Sequence, residues 1–72
     1  MMPLMIAAPG DKIKVLCVKG RPEVKKHLED LGFVPETPIE VIQSQDGNMI
    51  VKIRDSKLAL TKEMTQKIMV QQ

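Results

Sequence analysis

The chain carries one cysteine, no tryptophan, no tyrosine and a single aromatic residue, Phe33. Each shortage excludes something. Cys17 alone cannot close an intrachain disulfide, so the stapled secreted scaffolds common at this size do not apply and a reducing, cytoplasmic setting is expected. Bases would find almost no aromatic platform to stack on, which counts against nucleic acid. The longest stretch without a charge, Met1 to Gly10, is too short to span a bilayer, contains Pro3 and Pro9, and has no basic residue before its apolar part. It reads as neither anchor nor signal. Charge of one sign is scarce too: 11 basic and 9 acidic side chains leave a formal net charge of +2. Dispersed in that way, it calls for neither a phosphate backbone nor an anionic lipid surface.

What is present describes a folded chain. With 72 residues, 43% hydrophobic and 28% charged, there is room for one small domain over 1–72 and no tendency to disorder. A domain of this size buries only about 60% of the surface its unfolded chain exposes. Little interior is left to enclose a substrate, and an enzyme with a deep pocket is disfavoured.

The pattern along the chain alternates between strand and helix signals. Pro9-Gly10 is a turn, and Asp11 to Val18 is a strand with Ile13, Val15 and Cys17 on one side. After Gly20 a helix begins at Pro22, whose missing N–H costs nothing at a first helical position, and Gly32 offers its left-handed cap. Within it Val24, Leu28 and Leu31 share a face opposite Lys25, Lys26, Glu29 and Asp30. Phe33 to Pro38 is a loop, with Pro38 placed where a strand tolerates losing an N–H. Ile39 to Gln45 and Met49 to Arg54 alternate on either side of Asp46-Gly47-Asn48, a hairpin signature. Asp55-Ser56-Lys57 turns into the short strand Leu58 to Leu60; Thr61 caps a helical turn from Lys62 to Gln66, and Lys67 to Val70 is a last strand. Five short strands with one helix inserted after the first predict a mainly β fold. Closing the sheet on itself would hide its edges, so a small, partly open barrel is expected.

Reactive constellations are scarce. A nucleophile needs a base within hydrogen-bond reach, and only Cys17 and His27 qualify by type. Cys17 shares the strand face of Ile13 and Val15 and reads as a small core hydrophobe; His27, beside Leu28, reads as a packing residue at the edge of the helix's apolar stripe. No run of Cys, His or carboxylates has metal-ligand spacing, which leaves only a weak site of His27 with a nearby carboxylate open. No glycine-rich phosphate cradle exists. Pro9 to Val15, PGDKIKV, resembles the opening of ribosomal KOW-type barrels, so a small RNA-binding barrel remains the alternative function.

Taken in order, the features are similar to those of the FeoA-type domain. The residues that carry the likeness are Pro9-Gly10, Leu28-Glu29-Asp30-Leu31-Gly32-Phe33-Val34-Pro35, Ile39 to Ile42, Gly47, Leu58-Ala59-Leu60 and Ile68-Met69-Val70. The L-x-x-L-G-[FLIM]-x-P segment is the most specific of them. This chain departs at one place: the family usually has Pro-Gly after the helix, and here Glu36 follows Pro35. The resemblance implies an SH3-like barrel and an accessory role in bacterial and archaeal ferrous iron uptake, without catalysis or a cofactor and with metal binding at most weak or indirect. It also implies a partner, the FeoB-type GTPase permease, and no nucleic acid. The same domain ends iron-dependent repressors, but no helix-turn-helix accompanies it here. Pro9, Gly10, Leu28, Leu31, Gly32 and Gly47 are then structural. The expected partner surface is the outer helix face with Lys25, Lys26 and Glu29, together with Phe33, Val34 and Glu36 in the following loop.

Overall fold

A computed structural model describes residues 2–71. In chain order the elements are β1 (Met2–Pro3), a 3-10 turn (Leu4–Ile6), β2 (Lys12–Val18), α1 (Pro22–Asp30), β3 (Pro38–Gln45), β4 (Asn48–Ile53), β5 (Ser56–Leu60), α2 (Lys62–Lys67) and β6 (Ile68–Gln71). All pairings are antiparallel, in the order β1-β6-β2-β3-β4-β5. The end strands β1 and β5 do not pair with each other, so the sheet is not closed into a barrel. Helix α2 touches β1, β4, β6 and the 3-10 turn, and thereby links one end of the sheet with the strand next to its other end.

Period-two alternation builds the core. Ile13 and Val15, Ile39 and Val41, and Met49, Val51 and Ile53 all point inward, where they form one cluster with Leu28, Phe33, Leu60, Ile68 and Val70. Asp46 and Gly47 make the two-residue loop between the paired Gln45 and Asn48, with φ of 53° and 89°. Positive φ at both central residues is what a turn matched to the strands' right-handed twist requires, and glycine adopts it freely.

Three sequence expectations are corrected. Among the described residues the strands number six, not five, because Met2 and Pro3 pair with Val70 and Met69. A two-residue strand is too short to show alternation, so nothing in its composition announced it. Cys17 is half-buried rather than a core residue. The pairing of β2 with β6 shifts register between Val15 and Cys17, and beyond that bulge Val18 takes the inward position. Phe33, expected in an exposed loop, is fully buried.

Candidate functional site

The geometry around Phe33 follows from how α1 ends. Leu31 is the last residue with helical backbone and Gly32 has a φ of 112°. The Gly32 N–H donates to the Glu29 carbonyl at 3.0 Å and the Phe33 N–H to the Leu28 carbonyl at 3.1 Å. These are the two bonds of a Schellman cap, in which the residue after the left-handed glycine packs back on the helix's last turn. Phe33 is that residue, and Leu28 is its partner; both are fully buried in one cluster. The same motif that marks the helix end therefore removes Phe33 from the expected partner surface.

The loop beyond it crosses to β2. The Glu36 N–H donates to the Val15 carbonyl at 2.8 Å, and the Val15 N–H donates to the Thr37 carbonyl at 2.9 Å. Holding both bonds places Glu36 at a φ of 73°. That is the left-handed region where glycine is at ease and an L side chain is strained. The glutamate thus occupies a turn in which a glycine would be unstrained. The Glu36 carboxylate lies 3.8 Å from Lys14 Nζ on β2, with side chains 79% and 62% exposed. An ion pair so open to water holds its partners only weakly.

Lys25, Lys26 and His27 are exposed on α1, while Glu29 and Val34 are half-buried. Glu36 pairs with β2 rather than with a helix lysine, so the helix face and the loop do not form one charged unit. What Glu36 does join is a depression of about 330 Å³ lined by Lys12, Ile13, Lys14, Glu36, Pro38 and Gln71. On the other side of Pro38 a second hollow of about 270 Å³ is lined by Lys12, Pro38, Ile39, Glu40, Lys52 and Arg54. Strand register places Lys12 opposite Glu40, Glu40 opposite Lys52 and Lys52 opposite Lys57. A row of alternating and then like charge therefore runs across four strands on the outer face. Sequence reading did not assign this face a role. Its signal was there in the outward positions of Lys12, Lys14, Lys52 and Arg54, but only register shows that they share one surface.

Among the described residues no three His, Cys, Asp or Glu side chains are grouped to hold a metal ion, and no helix is long and apolar enough to cross a membrane. What the surface offers chemically is charge pairing and shallow apolar contact.

The fold defines the class first: a small, mainly β, SH3-like domain with one helix between its first long strand and its hairpin. The backbone matches the crystal structure of an iron uptake regulatory protein (FeoA) with a TM-score of 0.88 and 27% identity, over 96% of this chain and 93% of that one. It matches the NMR structure of a FeoA-like protein from Clostridium acetobutylicum with a TM-score of 0.85 and 22% identity, over 97% and 84% of the two chains. It also matches a manganese-dependent transcriptional repressor complexed with manganese, with a TM-score of 0.86 and 20% identity, over 96% of this chain and 35% of that one. These last two likenesses are of fold alone. A comparison with curated proteins finds no match. The FeoA domain family model matches residues 2–72, and the chain belongs to the FeoA domain family. That membership gives it a role in ferrous iron transport.

Proposed function

We propose that this chain is a non-enzymatic accessory protein of ferrous iron uptake, acting on the cytoplasmic side by contact with a FeoB-type GTPase permease. In this reading the permease passes the iron and hydrolyses GTP, and the iron is cargo that this chain does not hold. The observation that carries the proposal is the FeoA domain model spanning residues 2–72. The surface supports it: charged and shallow on the outside, with Cys17 half-buried in a strand and His27 exposed on a helix. Such a surface is suited to docking rather than to enclosing a substrate.

The test is to titrate the isotope-labelled chain with the isolated GTPase domain and with the full permease in detergent, following backbone amide signals. A contiguous set of shifted amides with either partner is the expected result. Unchanged spectra with both would sink the reading.

A further inference from the structure

We propose that the outer face of β2, β3 and β4 is the docking surface, and that what it takes is an extended acidic segment of a partner protein. The inference rests on the partner-contact reading above and adds to it the face and the chemistry of the occupant.

Charge is the first argument. Lys12, Lys14, Lys52 and Arg54, four of the chain's 11 basic side chains, line the two hollows, against only Glu36 and Glu40 of its 9 acidic ones. A molecule whose net charge is only +2 thus concentrates positive charge on one side, and a face of that kind steers and orients a negative partner. The second argument is local. Glu36 already sets a carboxylate 3.8 Å from Lys14 at the rim of the larger hollow, and Glu40 stands between Lys12 and Lys52 in the cross-strand row. The face therefore already places carboxylates between its cations, and the exposed Lys14–Glu36 pair is weak enough for an incoming carboxylate to displace it.

Shape favours a polypeptide over a nucleic acid. The exposed Pro38 separates the two shallow hollows, so side chains of an extended segment can settle on either side of it while its carboxylates meet the lysines. Bases would have no platform, because the chain has no Tyr or Trp and Phe33 is fully buried. Glu36 and Glu40 would also repel a continuous run of phosphates.

The experiment uses the full chain and two probes, a blocked peptide of alternating glutamate and serine and an oligouridylate, each titrated with amide signals as readout. The peptide is expected to shift amides of β2, β3 and β4 and not those of α1, with affinity falling as salt screens the charges. Replacing Lys12 and Lys52 together by glutamate should weaken peptide binding by about tenfold or more, and the milder Lys12→Gln/Lys52→Gln pair should weaken it in the same direction with the fold checked by its amide spectrum. Glu36→Gly, which frees Lys14, should tighten it. The proposal is overturned by peptide shifts confined to α1, by affinity indifferent to the lysine substitutions, or by tighter binding of the oligouridylate. Repeating the lysine variants against the permease separates the two readings. Permease binding that survives the substitutions removes this face and leaves the accessory role standing; acidic-peptide binding without any permease binding does the reverse.

Discussion

Glu36 occupies a backbone conformation that its own chemistry opposes. With a φ of 73° it sits in the left-handed region, held there by its N–H bond to the Val15 carbonyl. An L residue in that conformation costs roughly 1–2 kcal/mol, while a glycine gives back about 0.4–1 kcal/mol through the greater freedom of its unfolded chain. The Lys14 pair is too exposed to offset the difference. Glu36→Gly should therefore stabilise the domain by about 0.5–1 kcal/mol, read as a rise in the urea midpoint with an unchanged slope. A lower midpoint would mean that the carboxylate contributes more than its exposure allows. The sequence shows a glutamate after Pro35, but not that the turn there is left-handed; two backbone hydrogen bonds to the strand residue Val15 impose that. The burial of Phe33 was closer to legible. Leu28, Gly32 and Phe33 have the spacing of a Schellman cap, and following that motif one residue past the glycine points Phe33 inward.

At the scale of elements, α2 shows how a segment too short to stand alone is held. Six residues form no stable helix by themselves, and the Thr61 hydroxyl, accepting from the Met64 N–H at 3.4 Å, is a long cap. The remaining support comes from the β3–β4 hairpin. The Lys62 N–H donates to Asn48 Oδ1 at 2.9 Å, and the fully buried Thr65 hydroxyl donates to the Gly47 carbonyl at 2.7 Å, with the Lys62 carbonyl at 3.0 Å as a second acceptor. The turn that reverses the hairpin is thus also the clamp on α2. Thr65→Val keeps the shape and removes the proton, leaving the Gly47 carbonyl short of a partner, and should cost about 1–2 kcal/mol. Amide exchange should quicken in α2 before it does in β3 or β4, and exchange that rises uniformly would argue that the contact is not local. The turn at Asp46-Gly47 and the cap at Thr61 were both readable from residue type. Their union was not, because it joins residues 18 apart in sequence through a side chain and a main-chain carbonyl. The β2 bulge was hidden for a similar reason. It depends on how β6 pairs with β2, and strict alternation therefore placed Cys17 in the core instead of Val18.

Across the whole molecule, the N-terminal segment closes a core that the rest of the chain leaves open. Its composition gave no period to read, yet Met2 and Pro3 extend the sheet beyond β6, and Leu4 and Ala7 are buried to 0% and 5% exposure in the central cluster. Leu4 lies in the 3-10 turn that α2 also touches, at the end of the sheet opposite β5. A domain of 72 residues has an expected stability of only about 4–11 kcal/mol, and truncating a fully buried leucine typically costs about 2–5 kcal/mol. Leu4→Ala should thus remove a large part of the total, lowering the thermal midpoint by roughly 10 °C or more at the usual scaling for small domains. Because Leu4 is fully buried and lines neither hollow of the Lys12, Lys14, Lys52 face, the variant that remains folded at low temperature should still bind whatever the wild-type chain binds there. Circular dichroism melts of both proteins, with amide spectra taken well below the lower midpoint, check both halves. A midpoint within a degree or two of wild type would show that the first strand and turn are an ornament on a core that β2 to β6 complete without them.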